Sequence, residues 1–367
     1  MPLRPILVLL LTLGAQAAED LIRDGTFAEG LAHWSDAAND ADRTAEVVAL
    51  DGASALRLSR LTPGAEVAVQ QYNVRLAPRT VYRLSVAGHG SLDGVVKLGP
   101  SSSSDPDYAA HSKAWATATG PLPASTAIAV ETLLFDSGNL VDGAYLSLRL
   151  GGDGPGWYAF TRVALEKVAP SPDELIVAHL GDSITITSYL PFSQRIDALL
   201  AEPLAAASGA RPVRQINLGA DGETVAEMLA GRYDHAVRAM YPRIDVAVIR
   251  YGANDRRSRD PAAFAADLAT LCDHLTADHP GVRIVLGTGP WLLGDDEANL
   301  RQYGPWWQAI RDLAAERRYA LADVAAAFAA AATADTARAP GDLHPSAAGV
   351  AVACAELARI IAPLLPG

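Results

Sequence analysis

The chain has 367 residues, half of them hydrophobic and a fifth charged, with a formal net charge of −12 at pH 7. This composition excludes a disordered chain, and the length exceeds one ordinary core and suits two domains. The acidic balance argues against nucleic acid or an anionic membrane as partner, since both attract basic surfaces.

The first residues read as an export signal. Arg4 supplies positive charge, Ile6 to Leu13 is apolar except for Thr12, and Ala15-Gln16-Ala17 offers small residues that a signal peptidase accepts. Residues 1–17 are expected to be a cleavable signal peptide and the protein to be exported, periplasmic or extracellular. An uncleaved anchor is the other reading of the same run. The run is far shorter than the roughly 20 residues that span a bilayer, so no membrane span is expected there or elsewhere. No cysteine follows the cleavage point, which speaks against a lipid anchor.

From about Asp20 to Val168 the pattern is short alternating strands split by Gly, Pro, Asp and Ser. Ala53–Leu58, Glu66–Val74, Val81–Ala87 and Tyr145–Leu150 are examples, and Ser101–Asp107 reads as a polar loop. Alternation with frequent turn signals predicts an antiparallel all-β sandwich over residues 20–168. Ala169-Pro170-Ser171-Pro172 suits neither strand nor helix, so residues 169–174 are read as a linker.

From Leu175 apolar strands alternate with longer amphipathic stretches. The strands are Leu175–Leu180, Val213–Leu218, Asp245–Tyr251, Arg283–Gly287 and Tyr319–Asp323. Helical spacing runs through Phe192–Leu204, Thr224–Met240, Pro261–His279, Asn299–Arg317, Ala325–Ala332 and the closing Pro345–Leu365. Such a βαβ series predicts, over residues 175–367, a five-stranded parallel sheet covered on both faces. Cys272 and Cys354 lie in apolar helical contexts and are expected as buried free thiols, a disulfide being the other reading.

In open α/β sheets, sites form at the carboxyl ends of strands. Ser183 follows the first strand in Gly181-Asp182-Ser183-Ile184-Thr185. Gly222 follows the second, Asn254 the third in Gly252-Ala253-Asn254-Asp255, and His344 precedes the last helix in Asp342-Leu343-His344-Pro345. Ester hydrolysis needs a nucleophile, a base and donors aimed at the developing oxyanion. Ser183 offers the hydroxyl and His344 the base. The Ser183 and Gly222 N–H groups and the Asn254 amide offer the donors.

These blocks resemble the SGNH (GDSL-type) hydrolase family, over about Leu175 to Leu365. The resemblance implies a flavodoxin-like sheet, a serine nucleophile at Ser183, the oxyanion hole Ser183, Gly222 and Asn254, and acyl-ester hydrolysis without metal or cofactor. The family usually places an aspartate three residues before the histidine. Here that position is Gly341, and Asp342 stands two before. Three readings stay open: Asp342 orients His344, the site runs as a Ser–His dyad with a carbonyl or water on the other ring nitrogen, or the site is dead.

The remaining candidates read as structural. Asp182 is expected to cap its turn, Asp255 to brace a loop and His179 to sit in the core. His235, His274 and His279 are read as surface residues. No His, Asp or Glu grouping has metal spacing, and Gly219-Ala220-Asp221-Gly222 lacks the P-loop lysine. Arg250 and Tyr251, at the end of the third strand, are read as an ion-pair partner and a packing residue. Trp291, Trp306 and Trp307 are read as core, with a sugar platform as the alternative. In the first half, Leu21 to Trp34 and Gly156 to Glu166 look like the ends of a carbohydrate-binding-module-like jelly roll. Trp34, Tyr72, Tyr108, Trp115, Trp157 and Tyr158 are its candidate aromatics. The domain pairing is similar to carbohydrate esterase family 2, where a Ser–His dyad is known. It implies an acetylated polysaccharide or oligosaccharide as substrate, with a lipase or thioesterase and a non-catalytic glycan-binding protein as alternatives.

Overall fold

Alternating residues between positions 43 and 167 build two antiparallel sheets. The computed structural model describes residues 20–35, 37, 39–100, 118–137, 144–169, 171–209, 211–290, 302–331, 334–337 and 342–365. The strands of this half are β1 (Arg43–Leu50), β2 (Ala53–Arg60), β3 (Ala68–Val74), β4 (Val81–Gly90), β5 (Gly94–Pro100), β6 (Thr119–Leu122), β7 (Ser125–Asp136), β8 (Ala144–Leu150) and β9 (Gly156–Lys167). One sheet has the order β1-β2-β9-β4-β7 and the other β3-β8-β5-β6. Leu56, Leu58, Leu84, Val86 and Phe160 of the first meet Val96, Leu98, Leu146 and Leu148 of the second in one core. Each such side chain contributes roughly 1.5–3 kcal/mol on burial.

The four strands read from the sequence are present, with shifted ends. The readings of residues 1–17, Ser101–Asp107 and Pro170 lie outside the described residues.

The second half has β10 (Leu175–Gly181), β11 (Val213–Gly219), β12 (Val246–Arg250), β13 (Arg283–Gly287) and β14 (Ala320–Ala322), all parallel, in the order β11-β10-β12-β13-β14. Every residue of β10 and β12 is buried, as a sheet covered on both faces requires. The helices are α1 (Ser183–Ile186), α2 (Ile196–Ala207), α3 (Pro261–Asp278), α4 (Gly304–Arg317), α5 (Val324–Ala331) and α6 (Ala347–Ile361). Alternate strand residues feed the two faces. Ala178, Leu180, Ala247 and Ile249 pack with Leu268, Leu271 and Ile310 of α3 and α4. Val177, Val246 and Val248 pack with Leu200, Val350 and Leu357 of α2 and α6. Asp260 caps α3 through Ala263 N–H (2.8 Å), with Pro261 opening the helix. By length and composition alone, Ala347–Leu364 is apolar enough to cross a membrane. In the fold, Val350, Cys354, Leu357 and Ile361 face the sheet core.

Three expectations are corrected. The helix read over Thr224–Met240 is one α turn, Val225–Glu227, followed by two π-helical turns, because Gly231 takes φ 149° and breaks the regular ladder. Phe192 does not open a helix: it sits in a 3₁₀ turn, and α2 begins only at Ile196. His279 is not a surface residue: it is 2% exposed where α3 turns toward β13, and burial lowers its pKa. Cys272 and Cys354 are free, buried and on opposite faces of the sheet, which excludes a bridge between them. Burial pushes both thiols up to about 12.

Candidate active site

The turn that carries Ser183 starts where β10 runs out. A Cβ on Gly181 would lie 2.1 Å from Thr185 Oγ1 and 2.6 Å from the Arg250 carbonyl, so only glycine lets the chain turn here. Asp182 then caps α1, its Oδ1 accepting from Ile184 N–H at 2.9 Å. Burial raises its pKa to about 7, against the lowering effects of that N–H and of Arg250. Ser183 is thereby presented at the first position of α1, facing a cleft of about 400 Å³.

His344 Nε2 lies 2.8 Å from Ser183 Oγ. On the other side of the ring, Nδ1 is 2.7 Å from Asp342 Oδ1. That same oxygen accepts the His344 backbone N–H at 3.0 Å. The spacing of two is thus accommodated by a tight turn in which the carboxylate curls back onto its own chain. Of the three readings of the acid, the geometry is that of an aspartate in contact with the imidazole. A neutral ring with its proton on Nδ1 donates to Asp342 and leaves Nε2 to accept from the serine hydroxyl. Tyr189 stands edge-on to the His344 ring at 5.4 Å and donates its hydroxyl to Pro345 O at 3.0 Å.

Gly222 and Asn254 border the same cleft. Gly222 has φ +74°, a left-handed conformation that favours glycine. Asn254 Nδ2 donates to Glu223 O at 3.2 Å. Among the described residues, neither the Ser183 nor the Gly222 N–H donates to another protein group. Asp255 does brace the loop: its carboxylate accepts from Val225 N–H (2.9 Å) and Gly252 N–H (3.0 Å), tying the segments after β11 and β12 together. Burial raises its pKa.

Beneath Gly222 lies a group that sequence reasoning missed. Glu223 Oε2 accepts from Tyr251 Oη (2.8 Å) and Arg232 Nη1 (2.5 Å), and Arg232 Nη2 donates to Leu218 O (2.7 Å). The cleft itself adds Ser188, Tyr189, Asp221 and Arg257. Asp221 adjoins Gly222 and was within reach of the motif. The other three sit in turns with no periodic signal.

The other candidates fall as follows. His179 is buried, and burial pulls its pKa down to about 4. His235 and His274 are half-buried. Trp307 is 1% exposed and stacks on Tyr303, so it is core and no platform. Trp306 is half-buried and donates to Arg259 O. Trp34 and Tyr158 are core, Trp157 lies under Arg57, and Tyr72 is 47% exposed. Trp291, Tyr108 and Trp115 lie outside the described residues. Among the described residues, no three His, Cys, Asp or Glu side chains are placed to hold a metal.

Residues 179–352 match the model of the GDSL-like Lipase/Acylhydrolase family. This stretch is a GDSL-like hydrolase domain. It makes the chain a carboxylic ester hydrolase. Comparison with curated proteins finds no match. Among solved structures, the chain is similar to a family two carbohydrate esterase from Clostridium thermocellum in complex with cellohexaose, at 15% identity and a TM-score of 0.43, covering 84% of this chain and 94% of that one. It is similar to Axe2, an acetylxylan esterase from Geobacillus stearothermophilus, at 22% identity and a TM-score of 0.41, covering 52% and 94%. It is also similar to the lipase/acylhydrolase from Enterococcus faecalis, at 23% identity and a TM-score of 0.45, covering 52% and 97%.

Proposed function

We propose that this GDSL-like hydrolase is an exported serine esterase that removes O-acetyl groups from a polysaccharide or oligosaccharide. The observation that carries the reading is the run of two short contacts, Asp342 to His344 (2.7 Å) and His344 to Ser183 (2.8 Å), at the edge of the cleft. His344 Nε2 takes the Ser183 proton as Oγ bonds to the acetyl carbon. The carbonyl oxygen becomes an oxyanion facing the Ser183 and Gly222 N–H groups and the Asn254 amide. His344 then gives its proton to the departing sugar oxygen as the ester C–O bond breaks. Water, deprotonated by the same nitrogen, releases acetate and restores the Ser183 hydroxyl.

The cleft lining favours a small acyl group on a hydroxylated partner. Among the described residues that line it, Ser188, Tyr189, Asp221, Asn254 and Arg257 offer hydrogen-bonding groups and none is aliphatic. Sugar hydroxyls find donors and acceptors among these side chains. Two measurements test the reading. Ser183→Ala abolishes p-nitrophenyl acetate hydrolysis, and acetate release from a panel of acetylated glycans exceeds turnover of C8 esters. Retained hydrolysis by Ser183→Ala removes the nucleophile assignment. Rates that climb from C2 to C8 turn the assignment to a lipase.

A further inference from the structure

The segment that brings Ser188 and Tyr189 to the cleft is anchored in the sandwich half. Phe192 is fully buried in the core between the two antiparallel sheets. Ser193 donates its N–H and its hydroxyl to the Glu131 carboxylate of β7, each at 2.8 Å. Arg195 is 1% exposed and lies 4.7 Å over the Phe192 ring. Its Nη2 donates to Thr119 O of β6 (2.5 Å) and to Ser188 O (3.0 Å), and its Nε donates to Leu190 O (3.0 Å). One guanidinium therefore joins a sandwich strand to the carbonyls on either side of Tyr189. The fit leaves no slack. A Cβ on Gly120 of β6 would lie 2.4 Å from Arg195 Nη2 and 2.8 Å from the Phe192 ring.

A buried cation is a costly way to glue two surfaces, since apolar contact would hold them at lower desolvation cost. What carbonyl-directed N–H groups add is position: each bond has a direction, and of the three, two fix the backbone on either side of Tyr189 while the third ties it to β6. Tyr189 in turn stands against the His344 ring and bonds the carbonyl of Pro345. The chain of contacts runs from β6 through Arg195 and Tyr189 to the base.

We propose that the sandwich is a working part of the esterase site, with Arg195 a positioning residue that holds His344 against Ser183 through Tyr189. This rests on the esterase reading above. An appended binding module would leave turnover of a small soluble ester unaffected by changes on its side of the contact. Here a change in β6 reaches the base.

The test uses the full chain and p-nitrophenyl acetate. Arg195→Met keeps the aliphatic stem and removes the three bonds. Gly120→Ala presses on Arg195 and Phe192 from the sandwich side and serves if Arg195→Met does not fold. Each lowers kcat on the order of 10-fold, because a base displaced by a fraction of an ångström loses proton transfer, while KM stays near wild type. Arg195→Lys recovers part of the loss. Combining Arg195→Met with Tyr189→Phe costs less than the product of the two separate losses, since both act on one path. Unchanged kcat in a cooperatively folded Arg195→Met or Gly120→Ala protein, with only a lower Tm, overturns the proposal, as do multiplicative losses. If Ser183→Ala retains hydrolysis, the esterase reading itself fails, which is a separate result.

Discussion

At the end of β10, Asp182 accepts a hydrogen bond from the N–H two residues on, at Ile184; ahead of α6, Asp342 accepts one from the N–H two residues on, at His344. The two turns use the same local device in opposite surroundings. Asp182 is 1% exposed, and burial raises its pKa to about 7, so its task is to shape backbone. The Asp342 side chain is 30% exposed, and the oxygen that shapes its turn also meets the imidazole. Burial makes the first carboxylate hard to ionise and useful as a cap. The second keeps contact with solvent and, through the same oxygen, with the His344 ring.

Predictions that break or sharpen this contrast run from large effects to small. Ser183→Ala or His344→Ala lowers kcat by about 10,000-fold or more, because each removes one of the two groups the turns present. Steady-state kinetics on p-nitrophenyl acetate reads this directly. Asp342→Ala comes next, at about 100- to 10,000-fold in kcat. A loss within 3-fold, an order-of-magnitude threshold well under that range, means that the turn alone orients the imidazole and the enzyme runs as a dyad. Asn254→Ala costs about 100- to 1,000-fold if its amide meets the oxyanion, with KM little changed. An effect on KM alone assigns Asn254 to substrate binding.

Asp182→Asn has the smallest effect on turnover and acts on stability. In the fold Asp182 keeps its proton up to about pH 7, against an ordinary value of 3.8. Its contribution to stability is therefore fully present below 3.8 and lost as pH rises toward 7. Asparagine does not titrate, so the difference in Tm between variant and wild type grows in the variant's favour across that window. A difference that stays flat with pH shows that the carboxylate stays ionised in the fold.

The α/β half was legible because its strands are buried on both faces and read as apolar runs, and because Gly-Asp-Ser and Asp-Leu-His-Pro lie where those runs end. The sandwich was harder to read. β7 carries Ile128, Val130 and Leu134 on its exposed side, so apolar residues on both faces blur the alternation. β6 is four residues with Gly120 and Pro121 at its centre. At the site, Ser183, Gly222, Asn254, His344 and Asp342 come together around one cleft. Tyr189 and Arg195 were invisible because their roles depend on the sandwich, and Arg195 stood inside a stretch with helical spacing. The Glu223–Arg232 pair was hidden in a segment whose helical period breaks at Gly231.

The shared Asp342 oxygen has a consequence for how the site assembles. Asp342 and His344 have only Leu343 between them, so their encounter carries almost no chain-closure entropy. Only the approach of the serine, 161 residues away, has to be supplied by the fold. The histidine turn is thus a preassembled unit that α6 and Tyr189 dock as one piece. Transplanting it into another scaffold is a problem of aiming one short loop, not of placing two side chains.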